Sequence, residues 1–193
     1  MKGKLFILAG QSGVGKNTIL AAVIKNHPEF HRVVTYTTRD QRPEEIPGED
    51  HYFVYREKFQ EMINNGEFLE YAENHGEMYG TPKDQVENAL DEDKNIIMEI
   101  DVKGVAQVAK KMPIVSIFIK YEPGDLENLI RQRIKNDPGR GDVSEEEIQR
   151  RIATAKQEAT YEDNYEYKVI NPEGHPEVAI GEVENIIKKE IAN

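Results

Sequence analysis

Leu5-Phe6-Ile7-Leu8-Ala9 is an unbroken apolar run that stops at Gly10, and its length and composition predict a buried strand. After a glycine-rich stretch, Ile19, Leu20, Val23 and Ile24 fall at helical spacing. Pro28 breaks that helix, and His31 to Tyr36 reads as the next strand. Residues 37–50 show no period and hold two prolines, which predicts a loop. His51 to Val54 is a short strand. Glu57 to Asn65 is a helix with Phe59, Met62 and Ile63 on one face, ended by Asn65-Gly66. Glu67 to Glu73 and Glu77 to Gly80 form a hairpin around His75-Gly76, and Thr81-Pro82 opens a helix with Thr81 as its N-cap.

Asn95 to Asp101 is a second buried strand, with Glu99 and Asp101 two apart and so on one side of it. Val102 to Lys111 is helical, Pro113 breaks the helix, and Ile114 to Ile119 is another strand. Asp125 to Lys135 carries Leu126, Leu129, Ile130 and Ile134 as a helical core stripe. A glycine-rich polar turn spans 136–142. Ser144 and Glu147 then make a capping box before a helix that turns Ile148, Ile152, Ala155 and Ala159 inward. Tyr167 to Asn171 is the last strand. Val178 to Ile191 closes the chain, with Ala179, Val183, Ile186, Ile187 and Ile191 inward. Strands alternating with helices predict an α/β fold, a mostly parallel sheet with helices on both faces. Residues 33–93 interrupt the alternation as an inserted subdomain. Residues 125–159, helix, polar turn and helix, have the form of a lid over phosphates or of an ordinary helical hairpin.

The first loop carries the clearest chemistry. Gly10-Gln11-Ser12-Gly13-Val14-Gly15-Lys16 joins a strand to a helix, and its glycines let backbone N–H groups approach an anion. The helix N-terminus adds positive potential and Lys16 reaches terminal phosphates. Asn17 stands where a metal-binding hydroxyl is usual, so Thr18, one residue later, supplies it or the metal is held through water and phosphate. Arg39 and Arg42 in the irregular loop are candidate phosphate ligands, or part of a charged surface. Glu70 stands among apolar residues, where a carboxylate must find partners.

Composition narrows the partners. Among 193 residues, 25 Lys and Arg against 36 Asp and Glu give a formal net charge of −11, which argues against a nucleic-acid surface but not against a small phosphorylated ligand. There is no cysteine, so no disulfide or thiolate metal site is expected, and the five histidines lack metal-ligand spacing. No apolar run approaches membrane-spanning length and the start lacks a signal-peptide pattern, so a cytoplasmic protein without membrane partners is expected. The oligomeric state stays open.

With these motifs in place the chain resembles the guanylate kinase family along nearly its whole length. Gly10 to Lys16 resembles the family's phosphate loop, with Gln11 where proline is usual and Asn17-Thr18 after the lysine. Thr35-Tyr36-Thr37-Thr38-Arg39 with Arg42 and Glu45 resembles its GMP-binding segment. The resemblance implies that Arg39 and Arg42 hold the GMP phosphate and that Thr35 helps read the base. A family tyrosine that contacts the same phosphate falls on His51 here, with Tyr52 next to it, so either of the two serves. Phe68-Leu69-Glu70-Tyr71-Ala72 and Tyr79-Gly80-Thr81 also match. They imply that Glu70 accepts from the guanine N1–H and amine, and that Thr81 donates to O6. Glu99-Ile100-Asp101 resembles the family's Asp-x-Asp, and Gly104 fits the glycine after it.

The resemblance implies a nucleoside monophosphate kinase using ATP and Mg2+, with GMP as acceptor. Gly10, Gln11, Ser12, Gly13, Val14, Gly15, Lys16, Asn17 and Thr18 would bind ATP, with Thr18 on the metal. Lys16, Arg39, Arg140 and Arg151 would act on the transferred phosphoryl group, with Arg133 a further lid candidate. Thr35, Arg39, Arg42, Glu45, His51, Tyr52, Glu70, Tyr79, Thr81, Glu99, Asp101 and Gly104 would form the GMP site. The implied layout is a core of 1–32, 94–124 and 160–193, a GMP-binding subdomain 33–93 and a lid 125–159. The alternatives are a kinase for another phosphorylated acceptor and a non-catalytic binding module of the same fold.

Overall fold

In the computed structural model, which describes residues 3–74, 76–124, 126–136 and 143–192, the first apolar run forms β1, Leu5–Gly10, buried at every position. It leads through the glycine-rich loop into α1, Lys16–Asn26, which buries Ile19 and Val23. Two apolar strands follow the same logic: β7, Val115–Tyr121, and β8, Tyr167–Asn171. Both run parallel to their neighbours, with Gly10 opposite Ile119 and Tyr121 opposite Asn171. β6, Ile96–Glu99, completes a sheet of order β6-β1-β7-β8. A parallel sheet flanked by helices is the architecture the alternating pattern predicts.

By its internal contacts the chain divides into two compact units, and the division runs through β1 and β6. One unit holds Phe6–Pro28, Glu99–Val102 and Val115–Asn193. In it Ile100 N–H donates to the Leu8 carbonyl. Its other helices are α5, Leu126–Asn136, α6, Glu145–Ala159, and α7, Pro176–Ala192. Ser144 caps α6 as expected, its hydroxyl accepting the Glu147 N–H at 3.3 Å. Arg131 bridges α5 to α6, donating to Glu127 at 2.8 Å and to Glu145 at 2.5 and 2.8 Å. α7 buries Ala179, Val183, Ile186 and Ile187, but Ile191, expected inward, is 39 % exposed because it stands in the last turn.

The other unit holds Met1–Leu5, Glu29–Met98 and Lys103–Ile114. Its sheet has order β3-β2-β5-β4, from β2, Thr35–Thr37, β3, His51–Phe53, β4, Phe68–Asn74, and β5, Glu77–Pro82. α2, Arg56–Asn64, packs Phe59 and Met62 against Phe68, with Phe59 and Phe68 stacked 4.5 Å apart. α3, Lys83–Asp91, and α4, Val102–Ala109, follow their strands. Gln107 of α4 copies a peptide group against the edge strand β4. It donates to the Tyr71 carbonyl at 3.0 Å and accepts the Tyr71 N–H at 3.4 Å.

Three expectations are corrected in this unit and its border. The strand expected over His31 to Tyr36 is confined to Thr35–Thr37, because His31 pairs only as an isolated bridge with Ile96. Thr81 is not an N-cap: β5 runs on through Pro82, which precedes α3, and the Thr81 hydroxyl is spent elsewhere. The strand expected to reach Asp101 ends at Glu99, so Asp101 stands in the turn before α4 rather than beside Glu99 on a strand. No helix among the described residues is long and apolar enough to cross a membrane.

Candidate active site

The phosphate loop is shaped by close backbone approach. At Gly10, φ is +145° and an added Cβ would lie 1.9 Å from the Ile119 carbonyl oxygen, so only glycine fits there. Gly15 is left-handed, φ 93°, and stands as the N-cap of α1 without a side-chain cap. The first N–H groups of α1 are thus left for a ligand rather than for a capping side chain. Lys16 lies back over the loop, its Nζ donating to the carbonyls of Gly10 at 2.9 Å and Gln11 at 3.2 Å. Asn17 and Thr18, next along α1, are exposed.

Glu99, at the end of β6, is 3.8 Å from Lys16 Nζ. Burial pushes its carboxyl above the usual range, against the opposing pull of Lys16. Its Oε2 is buried and has no hydrogen-bond partner among the described residues. Among the described residues no three His, Cys, Asp or Glu side chains gather to hold a metal. The Thr18 hydroxyl and the Glu99 carboxylate are both oxygen donors. That fits Mg2+, which keeps several waters and takes much of its shell from phosphates.

Arg133 does not extend from α5 as a lid arginine here. It donates to the carbonyls of Val14 at 2.8 Å and Asn171 at 3.0 Å, pairs with Glu173 at 2.8 Å and covers the Tyr121 ring at 5.1 Å. Asn171 Nδ2 also donates to Val14, at 2.7 Å. Arg151 on α6 is held by Glu147, Nε to Oε1 2.7 Å, and Glu147 pairs with Arg150 as well. Arg140 lies outside the described residues, as do His75 of the expected hairpin tip and residues 137–142 of the polar turn.

In the small sheet the alternation of β2 and β3 sorts the candidates by face. Thr35, Thr37, His51 and Phe53 share one side, and Tyr36 and Tyr52 the other. Tyr36 and Tyr52 stack at 4.8 Å on the side of the aromatic core. His51 therefore stands with the loop arginine, and Tyr52 does not. His51 Nδ1 lies 2.8 Å from Thr35 Oγ1. Burial and the Arg39 charge push its imidazole pKa down. Arg39 grips Glu45 with both terminal nitrogens, at 3.0 and 2.7 Å, and lies over the Phe53 ring at 5.7 Å. That ion pair holds the Glu45 carboxyl at about 2. The Arg42 N–H donates to Glu45 at 2.8 Å while its side chain is exposed. Tyr79 stands beside Arg39.

Across the β4–β5 ladder Glu70 and Thr81 are paired residues, and the Thr81 hydroxyl donates to Glu70 Oε1 at 2.5 Å. The carboxylate set among apolar residues has thus found its partner. This bond uses the single hydroxyl proton that the resemblance assigns to O6 of the base. Asp101 is exposed before α4, and Gly104 is buried within α4. Sequence reasoning missed Thr37, fully buried, whose hydroxyl accepts the Arg39 N–H at 3.2 Å and so orients the arginine's backbone. It also missed Glu158, whose Oε2 accepts the Ser12 N–H at 2.5 Å. A glutamate on a polar helix carries no sequence signal for that role.

Comparison with known proteins places the chain in a family. The family model for guanylate kinase matches residues 2–190. A guanylate kinase of Lactococcus lactis is 43 % identical over 189 residues, covering 98 % of this chain and 89 % of its own. One of Nostoc sp. is 43 % identical over 175 residues, covering 89 % and 83 %. The crystal structure of guanylate kinase from Anaplasma phagocytophilum superposes with a TM-score of 0.73 at 28 % identity, covering 98 % of this chain and 86 % of that one. The chain belongs to the guanylate kinase family of nucleoside monophosphate kinases.

Proposed function

We propose that this protein transfers the γ-phosphoryl group of ATP to GMP, giving ADP and GDP. The observation that carries the choice of acceptor is the buried Glu70 carboxylate, 6 % exposed and oriented by Thr81. A guanine presents two N–H donors to such a carboxylate, and an adenine does not. A buried acceptor left without donors costs binding, which is the source of discrimination.

In this reading the γ-phosphorus exchanges its bond to the β-phosphate oxygen for one to an oxygen of the GMP phosphate. No general base is required, because that phosphate is already anionic. The loop from Gly10 to Thr18 cradles ATP through backbone N–H groups. Lys16 turns from the loop carbonyls to the terminal phosphates. Arg39, Arg42, His51 and Tyr79 hold the GMP phosphate, with Glu45 and Thr37 fixing Arg39. Thr35 sits beside His51 on the same face. Arg151, once released from Glu147, neutralises charge on the transferred group together with Lys16. Mg2+ would be held by the Thr18 hydroxyl and the nucleotide's phosphates, near Glu99. When bound, it neutralises charge on the phosphate oxygens. The family resemblance assigns Asp101 and Gly104 to GMP as well. Residues 33–93 act as the GMP-binding subdomain and 125–159 as the lid. The reaction belongs in the cytoplasm, where ATP and GMP are found.

Calorimetric titration with GMP and with AMP tests the acceptor assignment. GMP is expected to bind at least tenfold tighter. Equal affinities would overturn it.

A further inference from the structure

Helix α6 is fastened to the phosphate loop at its C-terminal half. The Ser12 N–H donates to Glu158 Oε2 at 2.5 Å. Gln11, only 6 % exposed, donates from Nε2 to the Ala155 carbonyl at 3.4 Å, and its Oε1 accepts the Tyr121 N–H at 2.9 Å. One side chain thereby ties the loop to α6 and to the end of β7. A proline at position 11 could make neither bond. Arg151, Ala155 and Glu158 stand at i, i+4 and i+7, one face of the helix. The face that holds the loop is the face that carries Arg151.

Glu158 is also an oddity of charge. Burial pushes its carboxyl above the usual range, Asp101 and Glu99 add to the rise, and Lys16 and the Ser12 N–H oppose it. A carboxylate beside a polyphosphate site repels the ligand. Its compensation is the strength of the bond it makes, since an N–H bond to a charged acceptor is roughly twice as strong as one to a neutral acceptor.

We propose that Glu158, assisted by Gln11, is a positioning residue. It locks the phosphate loop in its nucleotide-accepting shape and sets the register of Arg151 against Lys16. The inference rests on reading the loop as the ATP site. It predicts that damage at Glu158 falls on ATP and spares GMP, which a general loss of stability would not do.

The test uses the full chain with Glu158→Ala and Glu158→Gln. The second keeps an acceptor oxygen. Thermal melting, calorimetric ATP binding with magnesium, and KM for ATP and for GMP are measured on each. E158A is expected to weaken ATP binding about tenfold or more, with KM for GMP unchanged. E158Q is expected to recover most of the loss. A folded E158A with unaltered ATP affinity overturns the proposal, and so does an equal loss for ATP and GMP. Should E158A fail to fold, Gln11→Leu replaces it, with a loss of about threefold on ATP alone expected and unaltered ATP affinity contradicting. If the unaltered protein binds GMP but no ATP, the functional reading of the loop fails, and the anchor with it.

Discussion

The Thr81 hydroxyl donates to Oε1 of Glu70 at 2.5 Å, and neither side chain is exposed beyond 6 %. A buried carboxylate held by a short hydrogen bond is oriented by the protein, not by solvent. Glu70→Gln replaces an acceptor oxygen by an N–H donor, which faces the guanine donors with another donor. The expected result is a fall of about 10- to 100-fold in the ratio of kcat/KM for GMP to that for AMP, the range for bonds to charged groups. Thr81→Val removes the orienting donor and lowers the same ratio by a smaller factor. Steady-state kinetics with both acceptors checks both variants.

Arg39 and Glu45 set a pH dependence. The Arg39 ion pair holds Glu45 at about 2, below its ordinary 4.5. A carboxylate with a depressed pKa contributes stability above its unfolded value and loses it as pH falls toward the folded one. His51 is depressed from 6.5, so the unfolded chain takes up its proton first as pH falls. Both groups make the protein less stable in acid, His51 from about pH 6.5 downward and Glu45 from about 4.5 toward 2. Arg39→Ala is expected to return the Glu45 carboxyl toward 4.5 and to raise the imidazole pKa of His51. NMR titration of the two side chains reads this directly.

Lys16 and Glu99 are coupled across 3.8 Å. Lys16→Ala is expected to cut kcat by about 10³ or more, the scale for losing one charged transition-state contact. It also takes away the cation that opposes the burial of Glu99, so the Glu99 carboxyl rises further. A carboxyl raised by burial destabilises the folded state at neutral pH, and the penalty fades as pH falls. Glu99→Gln is therefore expected to raise Tm at pH 7 more than at pH 4. Scanning calorimetry at the two pH values distinguishes this from a charge-independent effect.

Gly15 is a second crowded point of the loop, after Gly10. A Cβ there would meet Asn171 Nδ2 at 2.8 Å with φ held at +93°. Gly15→Ala is expected to cost about 1–2 kcal/mol in backbone strain alone. That lowers Tm by roughly 2–8 °C for a chain of this size. ATP binding is expected to fall with it, read by calorimetry on the folded variant.

Elements whose pattern is local were legible in the sequence. The apolar run into Gly10-Gln11-Ser12-Gly13-Val14-Gly15-Lys16 shows strand, loop and helix because each needs only its own residues. Tyr167 to Asn171 and the Ser144–Glu147 cap were found for the same reason. What pairing across the chain decides was not legible. His31 to Val34 has strand composition but, among the described residues, no ladder partner beyond one bridge. Thr81 has a capping residue's chemistry, yet its hydroxyl goes to Glu70, eleven residues away, which periodicity cannot show. Arg133, a lid candidate by resemblance, donates to the Val14 carbonyl 119 residues distant, a contact that helix periodicity cannot show.

The most direct test of the account is ADP release from MgATP with GMP, AMP, CMP and UMP offered separately. Release with GMP is expected at a rate far above the other three, and is expected to be lost in Lys16→Ala. Equal release with all four, or release that ignores the acceptor, would contradict the guanine-reading role of Glu70. Failure of the folded protein to release ADP with GMP would contradict the proposed reaction itself.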